Sequence, residues 1–374
     1  MDHLGRVGLS EEQADLLEVA TNFCREKSPT EKVRSLINDE RGYDPDVWAE
    51  IGELGWLAIA IPEEYGGVGL SLGEVTPVME QMGRTMLASP FYSTTLAAQA
   101  LIHGGTQAQK ETWLPRIAGG EAATVALMEK NGAWDFSAPE TQAVREGGRL
   151  SLSGEKIFVC DANAAAAIIV SVTCDGAPAL VLLEREMLGD EALRREVVID
   201  ETKRSFAIDL TGVDIPESAL MDQDRAREAL AHLHLAANLM SASEMIGGTQ
   251  GVIDYTLEYL KTRKQFGRTI GSFQSLKHPT VDAFVEYEQA RSHLYSAAHC
   301  FNDQGSGEVA TRMAKAAADK AYSFAADRSI QFHGGFGFTY DCDAQLYRRN
   351  ALWHSAQHGD AAYHKRKLAE LLLG

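Results

Sequence analysis

Two histidines four residues apart, His354 and His358, have a spacing that could do chemistry. On a helix such residues share a face, and two imidazoles there can hold a metal ion. No His-Glu-x-x-His pattern surrounds them and no clear third ligand stands nearby, so a metal site is not expected. Imidazole is also the commonest general base, with an ordinary pKa of about 6.5. Gly69-Leu-Ser-Leu-Gly73 has the G-x-S-x-G spacing of a nucleophile elbow, but that device needs a preceding strand. Here a loop precedes it and a helical run follows, so Ser71 reads as an N-cap. No G-x-G-x-x-G follows a predicted strand, which argues against a nicotinamide Rossmann site. Cys24, Cys160, Cys174, Cys300 and Cys342 are scattered and form no C-x-x-C pair, so neither a disulfide framework nor a thiolate metal site is indicated.

The elements that must position such residues fall into three blocks. Residues 10–120 have helical apolar spacing over Ser10–Cys24, Val47–Leu57, Leu72–Met86, Ser93–His103 and Gln109–Ile117. Ser10, with Glu12 and Gln13 in the first turn, starts the first of them. The period then shortens to that of strands over Thr141–Arg145, Leu150–Val159, Ala167–Thr173, Ala179–Leu183, Glu196–Ile199 and Phe206–Leu210, and Gly147-Gly148 supplies a hairpin turn. Helical patterns return near 224–261, 279–303, 307–331 and 344–372 and suggest an antiparallel bundle. The expected fold is α+β: an N-terminal helical domain (1–120), a middle β-domain (121–221) and a C-terminal four-helix bundle (222–374). Helices, then strands, then helices, with no βαβ alternation, argue against a doubly wound sheet.

Composition sets the outer limits. A chain of 374 residues, 45% hydrophobic, can bury two or three domain cores. The formal charge of −18, with no long basic run, repels nucleic acid. The start lacks the charged-then-apolar layout of a signal peptide, and no uninterrupted apolar stretch is long enough to span a bilayer, so a cytoplasmic protein away from the membrane is expected.

Arg263-Lys-Gln-Phe-Gly267 with Ile270-Gly-Ser-Phe-Gln274, and Gln331-Phe-His-Gly-Gly-Phe-Gly-Phe338 running into Tyr347-Arg-Arg-Asn-Ala351, resemble the R-x-x-F-G…F-Q and Q-x-x-G-G-x-G-[FY] elements of the acyl-CoA dehydrogenase family. Ile61-Pro-Glu-Glu-Tyr-Gly-Gly67, Leu114-Pro-Arg-Ile-Ala-Gly-Gly120 and Gly154-Glu-Lys156 extend the resemblance over the whole chain. It implies an FAD-dependent enzyme, tetrameric, that desaturates an acyl-CoA thioester between Cα and Cβ and passes electrons to an electron-transfer flavoprotein. In the family, FAD lies between the β-domain of one subunit and the C-terminal helices of its neighbour. By that likeness Arg263 offers a charge-assisted fork to the pyrophosphate, Gly334 and Gly335 let backbone N–H groups approach it, Gln274 and Gln331 add hydrogen bonds, and Phe266 packs on the cofactor.

Departures from the family pattern are concentrated elsewhere. The glutamate that abstracts the α-proton falls on His358, and the alternative position on the first long C-terminal helix is Ala237, beside Asn238 where many members carry arginine. Asp360 could replace the base only if its loop were re-aimed. The T-E-P-x-A-G-S-D stretch corresponds to Met128-Glu-Lys-Asn-Gly-Ala-Trp-Asp135, with Met128 and Trp134 in place of hydroxyls; W-I-T-N corresponds to Phe158-Val-Cys-Asp161, with Cys160 in place of a flavin-contacting threonine. The one-sided loss fits the base-lacking subunit of a heteromeric acyl-CoA dehydrogenase, whose partner completes a shared FAD site. Two other readings stay open: a self-sufficient dehydrogenase using His358, and a flavin monooxygenase on the same architecture.

Overall fold

The computed structural model describes residues 8–374; residues 1–7, on which the reading of the N-terminus partly rests, lie outside the described residues. Among the described residues six α-helices come first: α1 (Glu11–Lys27), α2 (Thr30–Ile37), α3 (Pro45–Glu53), α4 (Thr76–Thr85), α5 (Phe91–Gly104) and α6 (Gln107–Ala118). Ser10 caps α1, its hydroxyl accepting from Gln13 N while the Gln13 side chain accepts from Ser10 N, a reciprocal box that satisfies two otherwise orphaned donors.

The strands are β1 (Ala123–Ala126), β2 (Gln142–Glu146), β3 (Arg149–Ser153), β4 (Glu155–Cys160), β5 (Ala167–Cys174), β6 (Ala177–Glu184), β7 (Leu193–Arg195), β8 (Ser205–Asp209) and β9 (Val213–Pro216). One sheet runs β1-β5-β2-β3-β9 with β6 also on β5, and a second is β4-β8-β7. Gly147 and Gly148 both have positive φ between β2 and β3, which suits the twist of a two-residue hairpin. Two predicted strands differ from the structure. The run 150–159 is two strands, broken at Gly154, whose φ of +134 leaves the extended region. Residues 196–199 follow a strand instead of forming one, because the Glu196 carboxylate turns inward to accept from Phe158 N and Ser205 Oγ and leaves Val197 fully exposed.

The C-terminal helices are α7 (Ala226–Thr262), α8 (Gln274–Cys300), α9 (Ser306–His333), α10 (Ala344–Ala356) and α11 (Ala361–Leu373), with a short hairpin of β10 (Lys264–Gln265) and β11 (Arg268–Thr269) after α7. Residues 236–249 of α7 are all buried, which explains why no single apolar stripe marks that stretch. Gly247 is required there: a Cβ would fall 1.7 Å from the Glu80 carbonyl of α4. The last predicted helix is two, interrupted over residues 357–360.

Contacts gather the described residues into two compact units. The first comprises the chain through Ser35, Leu72–Leu87 and Asn238–Gly374; the second comprises Leu36–Ser71 and Ala88–Ala237. In the first, α8 packs on α9, which also carries α10 and α11. In the second, α5 and α6 cover a core that includes Ile169, Leu180 and Leu233, and the two sheets share another through Val170, Val181 and Ile208. No helix among the described residues is long and apolar enough to cross a membrane.

Candidate cofactor and substrate site

A cavity of about 870 Å³ in the first unit is lined by Tyr259, Arg263, Phe266, Phe273, His333 and the pair Gly334-Gly335, among others. Its edge is the β10–β11 hairpin, where Phe266 and Gly267 occupy the two turn positions at φ 53 and 77. A positive φ is natural for glycine and a genuine outlier for phenylalanine. Phe266 is nevertheless held there with its side chain 90% exposed. Across the cavity, α9 ends in Gly334 at φ 64 and ψ −141, a conformation essentially limited to glycine. A Cβ at either Gly334 or Gly335 would meet nothing within 4 Å, so the missing side chains leave open space beside the backbone. Gln274 opens α8 next to the lining residue Phe273, and Gln331 lies two residues before His333; both are exposed and neither lines the cavity itself.

These residues fit FAD. A guanidinium opposite a side-chain-free backbone suits a pyrophosphate, and exposed aromatics, Phe266 with Phe336 at 44%, suit the ring systems joined to it.

Met128, Phe158 and Cys160 belong to the second unit. Ile157 N donates to the Met128 carbonyl at 3.0 Å, so Met128 lies beside β4 with its side chain buried. The register of β4 on β8 shifts between Lys156 and Val159, and within this bulge Phe158 takes φ 53 and stays 37% exposed. Thr124 Oγ1 donates to the Cys160 carbonyl at 2.6 Å and ties the strand to β1. Sequence reasoning named Lys156 without its role. Its buried ammonium pairs with Glu129 and donates to Ser171 Oγ at 2.9 Å. Glu129 also accepts from Thr141 Oγ1 at 3.0 Å, so this network fixes the residues flanking Met128 and Phe158. Burial pushes the Lys156 ammonium down to about 8, with Glu129 pulling the other way.

The positions expected to hold a base are arranged differently. Ala237 is fully buried in the second unit, and its carbonyl accepts from Tyr92 OH at 3.2 Å. His358 lies in the first unit, in the turn between α10 and α11, at φ 57. Neighbouring side chains hold that turn. Asn238 Nδ2 donates to the His358 carbonyl at 3.4 Å. Lys315 Nζ, fully buried, donates to the carbonyls of His354 at 2.7 Å and Gly359 at 3.4 Å. Asp319 Oδ2 accepts from Ala361 N at 2.9 Å. Asp360 Oδ1 accepts from Tyr363 N at 2.7 Å, which makes Asp360 the N-cap of α11. His354 points away from any shared task with His358: its Nε2 is 3.3 Å from Glu244 Oε1 and its Nδ1 3.2 Å from Ser241 Oγ. Ser241, Ala242 and Ser243 are buried and do not line this cavity.

Sequence reasoning missed Lys315 altogether. Thr311, Lys315, Ala318 and Tyr322 share one helix face and are all fully buried, but so polar a set does not read as an apolar stripe in the sequence.

Comparison with known proteins identifies the family. The family description "Acyl-CoA dehydrogenase, N-terminal domain" matches residues 10–121, and "Acyl-CoA dehydrogenase, C-terminal domain" matches residues 226–373. The acyl-CoA dehydrogenase fadE12 of Mycobacterium bovis is 33% identical over 313 residues, 79% of each chain. A variant of the Tcur3481-Tcur3483 steroid ACAD has a TM-score of 0.86 at 29% identity, covering 97% of this chain and 98% of that one. A chain of the ChsE4-ChsE5 complex from Mycobacterium tuberculosis, at 23% identity and a TM-score of 0.87, shares the fold over 98% of both chains. The chain belongs to the acyl-CoA dehydrogenase family of FAD-dependent oxidoreductases.

Proposed function

We propose that this chain is the base-lacking subunit of a heteromeric acyl-CoA dehydrogenase, contributing the pyrophosphate half of an FAD site that a partner subunit completes. The observation that carries this reading is the fate of the carboxylates. Ala237 offers a buried methyl, and the one carboxylate of the 357–360 turn, Asp360, is committed to capping α11. Likeness to a solved steroid ACAD named for two components supports a two-chain assembly.

FAD, when bound, supplies hydride acceptance. This chain's share is to bind and orient: Arg263 holds the pyrophosphate electrostatically, Gly334 and Gly335 admit it to the backbone, and Phe266 covers it. Gln274 and Gln331 hydrogen-bond at its margin. On the β-domain, Met128, Phe158 and Cys160 stand where the family faces the isoalloxazine ring, and the lost hydroxyls there leave that side of the site to the partner. The substrate class is an acyl-CoA thioester and the electron acceptor an electron-transfer flavoprotein, in a cytoplasmic tetramer. Co-expression with candidate partners tests the assembly: recovery of a second dehydrogenase-like chain bearing the family glutamate, with fewer than one FAD per chain, is expected. A homotetramer loaded with one FAD per chain would overturn it.

A second reading has one observation in its favour. Asn238 and Lys315 hold the His358 turn rigidly, and a base needs such fixed placement. In that reading neutral His358 removes the α-proton, and His358→Ala abolishes turnover by the chain alone.

A further inference from the structure

His333 lines the same cavity as Arg263 and Gly334-Gly335. It is the last residue of α9 and is 4% exposed. Its Nδ1 lies 2.8 Å from the Ser329 carbonyl, which can only accept, so Nδ1 carries a proton. The ring is stacked on Tyr259, with centroids 4.0 Å apart, and on Tyr255 at 5.0 Å. The remaining nitrogen, Nε2, is buried and has no hydrogen-bond partner among the described residues. A buried orphan of this kind in a cavity wall is costly unless a ligand gives it a partner, and a phosphate oxygen, which can only accept, pairs with it only when Nε2 is protonated.

We propose that His333 is a proton-linked contact of the cofactor: when the FAD pyrophosphate seats beside Gly334 and Gly335, Nε2 takes a proton from solvent and the imidazolium becomes a second positive charge next to Arg263. The proposal rests on the FAD reading above. Its physical basis is the position of the anion. Gly334 and Gly335 follow the C-terminal end of α9, where the helix dipole presents partial negative charge. An anionic pyrophosphate there is disfavoured by the helix and must be offset by cations, and Arg263 is the one arginine or lysine among the described residues that line the cavity. A cation at His333 also interacts favourably with the helix end and with the faces of Tyr255 and Tyr259.

The groups facing the imidazole are few. Tyr255 and Tyr259 come from α7, and Phe336 from the turn after α9, its ring centroid 6.5 Å away. Asp343 acts on it through space, its carboxylate paired with Arg34 at 2.6 Å. In the ligand-free chain burial dominates and holds His333 below its ordinary pKa, with the Ser329 carbonyl and Asp343 opposing. An adjacent dianion shifts the balance toward the charged form. FAD binding therefore raises the His333 pKa, so affinity is greatest at low pH and falls as pH rises through the window between the free-state and bound-state values.

The test is an FAD titration of the full chain and of its complex with the partner, followed by fluorescence between about pH 5.5 and 8.5. Calorimetry in two buffers of different ionisation heat counts the protons taken up. Wild type should lose affinity by up to about tenfold per pH unit inside the window, with uptake of about one proton. His333→Gln, which keeps a hydrogen-bonding group but cannot titrate, should bind FAD with a flat pH profile, and His333→Leu should be flat and weaker. A flat wild-type profile, or a slope that survives in His333→Gln, overturns the proposal. FAD binding by neither the chain nor the complex overturns the cofactor reading itself, a separate failure.

Discussion

The β10–β11 hairpin and the 357–360 turn use the same unusual backbone for different ends. Each places a non-glycine residue in the left-handed region, Phe266 at φ 53 and His358 at φ 57, at a cost of about 1–2 kcal/mol per residue. In the turn, that cost is offset inside the chain: Asn238, Lys315 and Asp319 bond its backbone and Asp360 caps the helix that follows. In the hairpin, Phe266 is 90% exposed at the edge of an open cavity, held by a two-residue ladder. The turn is thus self-sufficient, whereas the hairpin gains its return only when something is bound. The difference supports a chain that keeps an outward-facing cofactor half-site and has converted the neighbourhood of the base into internal structure.

Substitutions can break or sharpen that contrast. The largest effect is expected at Lys315→Ala, which leaves two carbonyls of the turn without their donor and opens a cavity. Unfolding by denaturant should show a loss of about 3 kcal/mol. Arg263→Ala should leave stability nearly unchanged and weaken FAD binding by about 2 kcal/mol, roughly thirtyfold, in a fluorescence titration. Asp360→Ala should cost about 1 kcal/mol of stability with no selective loss of flavin reduction in the assembled enzyme; a selective loss would restore Asp360 as a base. The smallest effect is Phe266→Gly. Relief of the turn should leave the melting temperature equal or slightly raised, while FAD binding weakens.

Burial holds the Lys315 ammonium down to about 8. Because the unfolded chain binds more protons between that value and the ordinary lysine pKa of about 10.4, this group makes stability rise with pH across that window. Lys315→Met should flatten that part of a stability–pH profile, measured by denaturant unfolding.

Much of the architecture was legible because periodicity and punctuation agree. Ser10, the Gly147-Gly148 pair and the apolar spacing of α5, α8 and α9 each report local preferences that packing did not override. The failures were local as well. Gly154 broke a continuous apolar run, Glu196 turned its side chain inward, and the 357–360 turn interrupted a helical pattern because Asp360 could start a new helix. At the candidate site, the motif residues Arg263, Phe266 and Gly334-Gly335 were named from sequence and line one cavity. Lys315 and His333 were not, since their importance depends on carbonyls and rings brought near by tertiary structure. The commitment of Asp360 to a helix cap likewise depends on a hydrogen bond, which spacing alone does not reveal.

On the proposed reading, this chain retains the cofactor's pyrophosphate side without its own proton-abstracting base. Anaerobic flavin absorbance, recorded as acyl-CoA thioesters are added to the FAD-loaded chain alone and to the assembled heteromer, tests it most directly. Bleaching in the heteromer that is indifferent to His358→Ala, with none in the chain alone, is the predicted result. Bleaching by the chain alone that disappears in His358→Ala would contradict it.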